Sequence, residues 1–481
     1  MASKVFSVQR TLTRELKLDV DTSFDPAQLG GEPLERRSIT SVYFDTPART
    51  LARAGVTLQR RTENGRSVWH LTLPRRGWRL DLEAAGGPNG PPRSLSQLLT
   101  GVTRRQPLES VATLRTARAG RRIRSADGIA DVLLDRVDVL EGRRVRDRFA
   151  ELELELLTGD EGTLKRLATA LEARGANRAN GVPKLFRILR VEEPQTPPRH
   201  ADAAEHLRAA VAREWSAILA HDPGARLGDD PEDVHRMRVA TRRLRALLRA
   251  GKTLVDQPWA DGLRAELKWL ADLLGAVREL DVMIALVKEE RDQLEPEERK
   301  AVKPLLDQLV AARDEARSKL LKGLRSTSYL RLLETLEEAA VALPVTQADR
   351  PLPALARREL RKLEKALSAL PRDPEDTDLH RARIKAKRAR YAAELAEPAV
   401  GRRGRRFVRR AKRFQDVTGE HQDAVVAEER LGSLLDRTAP PSTAFAAGRL
   451  VERLEARRLA ARARFPKEAR RLRKAGRRAF T

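Results

Sequence analysis

The sequence predicts an α+β chain of two domains, a β-rich N-terminal half followed by an all-α C-terminal half. Three observations predict it. Short strand-like runs fill the chain as far as about residue 190, a Pro-containing segment follows at 192–199, and long Ala/Leu/Arg/Glu stretches with a period near 3.6 occupy the remainder. A chain of 481 residues is also too long for one compact core, so two are expected.

The strand-like runs are 42–44, 56–61, 67–73, 79–83, 132–137 and 149–156, each with partial period-2 alternation and separated by turn residues such as Asn64-Gly65. One helix, 162–174, interrupts the series. Regularly spaced short strands predict an antiparallel barrel or sandwich. The linker 192–199 separates domain 1–191 from domain 200–481. Beyond it, Pro- and Asp-rich breaks at 222–231, 344–353, 371–378 and 438–442 punctuate the helices.

Lys and Arg total 95 against 69 Asp and Glu, a formal charge of +26. A field of that sign attracts polyanions: nucleic acid, inorganic polyphosphate, nucleotides or anionic lipid surfaces. The arginine bias is also what a GC-rich bacterial genome would give. There are no cysteines, which excludes disulfides, thiolate zinc sites and cysteine nucleophiles. No apolar run reaches the length of a membrane span, and the first 17 residues lack the apolar core of a signal peptide, so a cytoplasmic location is expected.

The sharpest signal is an internal repeat. His235-Arg236-Met237-Arg238-Val239-Ala240-Thr241-Arg242-Arg243-Leu244-Arg245 returns as His380-Arg381-Ala382-Arg383-Ile384-Lys385-Ala386-Lys387-Arg388-Ala389-Arg390. Each copy follows an acidic, Pro-containing loop that supplies a helix start. About 35 residues on, Leu270-Ala271-Asp272-Leu273-Leu274-Gly275-Ala276-Val277-Arg278-Glu279 is matched by Phe414-Gln415-Asp416-Val417-Thr418-Gly419-Glu420-His421-Gln422-Asp423. The two repeats cover about 200–343 and 354–481.

At about 100° per residue, His235, Arg238, Arg242, Arg245 and Arg249 share one stripe of a helix, with Met237, Leu244, Leu247 and Leu248 opposite. In the second copy His380, Arg383, Lys387 and Arg390 form the stripe, backed by Ala382, Ala386, Ala389 and Ala393. Such a row of like charges costs helix stability unless an anion neutralises it. Two stripes facing one another would make a groove for a linear chain of phosphates, which Arg grips through fixed forks of donors. A metal site from His235 and His380 is disfavoured, because the neighbouring cations repel it and no carboxylate pair accompanies either histidine.

These motifs resemble the CHAD domain, the conserved histidine α-helical domain, over nearly the whole C-terminal half. The resemblance implies two pseudo-symmetric helical bundles and binding of inorganic polyphosphate, which needs no cofactor. The implied binding residues are His235, Arg238, Arg242 and Arg245 with His380, Arg383, Lys387 and Arg390. Arg236 and Arg381 point away, and Asp272, Asp281, Asp416 and Asp423 are expected to pair with arginines of adjacent helices.

The N-terminal half carries Thr13-x-Glu15-x-Lys17, Tyr43-Phe44-Asp45-Thr46, Leu51-x-x-x-Gly55-x-x-Leu58-x-x-Arg61, Trp69-x-Leu71, Arg79-x-Asp81 and Glu151-x-Glu153-x-Glu155. In that order they resemble the CYTH domain, the triphosphate tunnel fold. The resemblance implies an antiparallel β-barrel whose interior holds a triphosphate on Lys17, Arg61 and Arg79 as catalytic residues, and Mg²⁺ or Mn²⁺ on Glu15, Glu151 and Glu153. Residues two apart share one face of a strand, so these groups can line one interior. Three positions depart from the family pattern: Thr13 for a glutamate, Gln59 for an arginine and Thr72 for a lysine. They predict a weakened tunnel.

Three functions are therefore in play. One is a polyphosphate-binding protein with a degenerate tunnel domain. The second is an active metal-dependent triphosphatase or polyphosphate hydrolase, acting on triphosphate or a nucleotide. The third is a nucleic-acid binder, which the 4% aromatic content argues against. No membrane partner is expected.

Overall fold

The computed structural model describes residues 9–13, 15–75, 78–178, 184–189, 197–198, 201–346, 351–435 and 440–480. The chain divides into two compact units, residues 1–193 with 222–227, and residues 194–221 with 228–481. Apart from Pro197 and Pro198, the predicted linker lies outside the described residues.

The first unit is one antiparallel sheet. Its strands are β1 (Gln9–Thr13), β2 (Glu15–Val20), β3 (Glu32–Asp45), β4 (Thr57–Glu63), β5 (Arg66–Arg75), β6 (Trp78–Ala84), β7 (Glu109–Ser125), β8 (Gly128–Glu141), β9 (Arg144–Gly159) and β10 (Asn177–Arg178). They are ordered β1-β6-β5-β4-β3-β7-β8-β9-β2-β10. The N-terminal segment closes it: β1 pairs with β6 at one end, and β2, which follows directly in the chain, pairs with β9 at the other. The sheet is thus a barrel, the first of the two expected alternatives.

Asn64 and Gly65, with φ of 49° and 77°, make the tight turn between β4 and β5. The strands run longer than the sequence pattern, and β7, 17 residues long, was not anticipated at all. Its run of Arg, Thr, Ala and Gly carries little apolar alternation because its inward face is polar. Helix α1 (Glu161–Glu172) packs Leu164, Ala168 and Leu171 onto Leu18, Leu134, Leu152 and Leu154.

The second unit is helical: α2 (Ala203–Leu227, of which 222–227 group with the first unit), α3 (Pro231–Ala250), α4 (Gln257–Arg291), α5 (Lys303–Arg325), α6 (Thr327–Val341), α7 (Leu352–Ser368), α8 (Asp376–Leu395), α9 (Arg402–Leu434) and α10 (Pro441–Phe480). The break expected from 222 is shorter than predicted, since α2 continues to Leu227 with Asp222 and Arg226 paired one turn apart at 2.6 Å. Duplication is visible in the helix lengths. α3 and α8 are both 20 residues, and α4 and α9 are 35 and 33. Asp230 caps α3 through the Glu232 amide, and Glu375 with Asp378 forms a capping box on α8. The repeats share one core, in which Met283, Val287 and Leu309 of the first pack with Leu431, Leu450 and Leu454 of the second.

Candidate functional site

Helices α3 and α8 lie against one another, and each packs on the long helix that follows it. Met237, Ala240, Leu244 and Leu248 bury one face of α3, as Ala382, Ala386, Ala389 and Ala393 do on α8. That burial turns the charged stripes inward, onto a cavity of about 660 Å³. His235, Arg238, Arg242, Arg245, His380, Arg383 and Lys387 all line it, with Arg249, Arg264, Arg278 and Arg388. Against nine lysines and arginines the wall offers two carboxylates, Glu279 and Asp423.

Few of these cations are neutralised. Arg238 Nη2 donates to Glu279 Oε1 at 2.7 Å, and His380 Nδ1 lies 2.5 Å from Gln422 Oε1. Among the described residues the buried Nε–H groups of Arg245 and Arg383 have no acceptor. Burial, then Arg242, Arg383 and Arg238, push the Lys387 ammonium down to about 6. Burial also lowers Arg238, Arg245 and Arg383, and together with Arg278 it lowers His235. Burial raises Asp423 in spite of Arg383 and Lys387 nearby. This is a positively charged pocket with unused donors, and chemically it fits an anion rich in oxygen acceptors.

One predicted residue stands apart. Arg390 is not in the cavity wall; its Nε sits 3.3 Å from Glu394 Oε1 and its guanidinium over the Tyr391 ring at 4.7 Å. Glu394 occupies the place that Arg249 holds in the first copy, and it draws Arg390 aside. Arg388 takes its place, while its first-copy equivalent Arg243 turns to Glu214 and Glu394. The duplicated glycines stand beside the stripe arginines: a Cβ on Gly275 would lie 3.5 Å from the Arg238 guanidinium, and one on Gly419 3.7 Å from that of Arg383, both ordinary contact distances.

Of the four aspartates expected to pair with neighbouring helices, Asp423 faces Arg383 and Asp281 faces Arg313. Asp272 pairs with Lys268 of its own helix at 2.6 Å, and Asp416 is exposed.

The barrel holds a second cavity of about 630 Å³, lined by Lys17, Arg61, Arg79 and Arg118 together with Asp81, Asp135, Glu153 and Glu155. Gln59 and Thr72 face it as well, so two of the three departures from the family pattern lie on the tunnel wall. Its charges cancel one another. Glu153 is held by Arg118 at 2.6 Å, Arg79 at 3.0 Å and Lys17 at 3.9 Å. Arg118 also makes a fork to Asp135 at 2.7 and 2.8 Å, and these acids raise it against the desolvation of burial.

Asp81 accepts from Thr72 at 2.6 Å and from Arg79 at 2.9 Å, and Glu151, on the same face of β9 as Glu153, accepts from Lys17 at 3.3 Å. Arg61 pairs with Glu63 at 2.6 Å. Burial drives the Tyr43 hydroxyl up to about 12 and, with Glu153, raises Glu155. Asp45 is structural, accepting the amides of Thr46, Leu51 and Ala52. The side chains of Thr13 and Glu15 lie outside the described residues; their backbones pair with Arg79 and Glu155.

Comparison with known proteins decides the family. A family model of the CYTH domain matches residues 12–185, and one of the CHAD domain matches residues 209–432. The chain belongs to the family of CYTH–CHAD proteins. The uncharacterized protein Rv2226 of Mycobacterium tuberculosis is 31% identical over 463 residues, 88% of each chain. PptA from Streptomyces chartreusis is 24% identical, with a TM-score of 0.47 over 56% of this chain and all of its own. The CHAD domain from the plant Ricinus communis is also 24% identical, with a TM-score of 0.46 over 59% of this chain and 95% of its own.

CYTH domains are generally metal-dependent, which makes the carboxylates of this CYTH barrel the test. Among the described residues no three acids or histidines converge as metal ligands, because each tunnel acid named above except Glu155 is bonded to a cation or a hydroxyl. Glu15, the third carboxylate expected to hold the ion, has its side chain outside the described residues. Sequence reasoning missed Arg118 and Asp135, on long strands with no distinctive motif, and it missed Arg264, Arg278 and Arg388. Arg278 could have been found, since it stands inside the repeated segment. No helix among the described residues is long and apolar enough to cross a membrane.

Proposed function

We propose that this chain is a cytoplasmic polyphosphate-binding protein whose CHAD domain grips the polymer between α3 and α8, while its CYTH barrel has lost catalysis. One observation carries the reading: nine lysines and arginines against two carboxylates around a single cavity, drawn from both repeats. A neutral or cationic ligand would leave that charge unbalanced, and a string of phosphates offsets it with fork-shaped hydrogen bonds. Base recognition would need aromatic platforms, and Tyr391 is the one aromatic side chain in the wall.

A fluorescent polyphosphate titration, with excess tRNA or duplex DNA as competitor, tests this. Tight binding that nucleic acid fails to displace is expected; preferential displacement by nucleic acid overturns it. Hydrolysis of triphosphate or a nucleotide with Mg²⁺ or Mn²⁺ is the alternative activity. The mutual pairing of the tunnel acids and cations weighs against it.

A further inference from the structure

The first half of α9 and the last turns of α10 lie side by side. Phe407 meets Phe480 edge-on at 5.7 Å, Phe414 meets Phe465 at 5.3 Å, and Gly476 allows the close approach beside Phe407. The phenylalanines are buried between the helices. Opposite this seam each helix carries an exposed basic stripe: Arg402, Arg406, Arg409 and Arg413 on α9, and Arg470, Lys474 and Arg478 on α10. Residues 402–413 and 469–480 contain no Asp or Glu. Among the described residues none of the seven stripe cations has an ion-pair partner, and those on α10 help to enclose a concavity of about 440 Å³ lined by cations alone. Successive members of each stripe stand three or four residues apart, so each stripe repels itself.

Helix α9 thus carries one cationic region and borders another. Gln422, Asp423 and Val426 of its second half belong to the cavity. The outer stripe begins about 14 Å further back along the same helix, at 1.5 Å per residue. We propose that this outer face is a second site for polyphosphate, holding the part of a long chain that the cavity cannot accommodate. Aromatic side chains are absent from its exposed positions, so the contact is with phosphates, and a single flexible strand can follow one stripe and cross to the next. The inference rests on the polyphosphate reading but concerns a different surface.

The test separates the two sites by chain length. Affinities of the full chain for tripolyphosphate and for long-chain polyphosphate are compared in the parent and in an R406Q/R409Q/R413Q/K474Q/R478Q variant with unchanged circular dichroism and melting temperature. The variant is expected to bind tripolyphosphate as the parent does, and to lose roughly tenfold or more in affinity for the long chain, with a shallower salt dependence. Unchanged long-chain affinity overturns the proposal, and so does an equal loss for both ligands, which would mean a general field effect. Duplex DNA that displaces the long chain from the parent, but not from the variant, overturns it in favour of nucleic acid. If the parent binds the long chain through this face and does not bind tripolyphosphate, the cavity reading falls and this one stands.

Discussion

Arg238 of α3 donates to Glu279 of α4 across 2.7 Å, a bond between the two segments that the sequence repeats. In the second copy the corresponding pair is Arg383 and Asp423, which face each other without such a bond among the described contacts. Glu279 is largely exposed, so its bond is the more easily exchanged for a ligand phosphate. Glu279→Gln is therefore expected to tighten polyphosphate binding by up to about fivefold, the range of a partly exposed ion pair. Weaker binding would show that Glu279 positions Arg238 for the ligand rather than competing with it.

Charge reversal tests the stripe directly. Arg238→Glu combined with Arg383→Glu removes two fork donors and places two acids in the wall. A charge-assisted hydrogen bond contributes about 1.5–3 kcal/mol, so the loss should exceed roughly 100-fold. Retained affinity in a folded double variant would place the polymer elsewhere.

Lys387 makes binding depend on pH. With its ammonium lowered to about 6, the lysine is mostly neutral at pH 7, and an arriving phosphate favours the charged form. Binding should then take up a proton, and affinity should fall as pH rises above about 6, by at most about tenfold per unit. Calorimetry in buffers of different ionisation enthalpy measures the uptake, and Lys387→Arg should abolish it. For the free protein the sign is opposite. Between the folded value and the ordinary lysine value the unfolded chain holds the extra proton, so this residue makes stability rise with pH.

How much of this was legible depended on which face of each element is apolar. α3 and α8 announced themselves because an apolar face and a basic stripe alternate at helical period, and the duplication marked the stripe as a site. The barrel was read from shorter runs than it has, because its interior is polar: Thr116 and Arg118 of β7 point where a sandwich would carry Leu or Val. Arg390 was placed on the stripe by angle alone, and angle cannot see Glu394 one turn away. Pairings across the barrel, such as Arg118 with Asp135 and Glu153, depend on strand register, which no local pattern supplies.

Glu153 should matter more for stability than for chemistry. Its carboxylate is buried and shared by Arg118, Arg79 and Lys17. Glu153→Gln leaves three cations short of an anion, a disruption that typically costs about 3–5 kcal/mol. A melting temperature lowered by several degrees is expected, and an unchanged one would mean that water compensates the cations freely.

The last prediction concerns catalysis. Phosphoanhydride hydrolysis needs positive charge placed where the phosphoryl oxygens gain negative charge, and free carboxylates to hold a divalent ion. In this barrel Arg118 and Arg79 are already bonded to Glu153, Asp135 and Asp81, and Gln59 and Thr72 stand on the wall as neutral groups. A triphosphate would have to break those pairs before it could bind, and each charge-assisted bond given up costs about 1.5–3 kcal/mol. Negligible triphosphatase turnover with Mg²⁺ or Mn²⁺ is therefore expected. A Thr13→Glu/Gln59→Arg/Thr72→Lys variant should recover part of it by adding one acid and two cations. The lysine introduced at 72 meets Asp81, which now accepts from Thr72, and so frees Arg79 for substrate. Brisk hydrolysis by the parent, lost on Glu153→Gln in a protein that stays folded, would instead make the tunnel an active site.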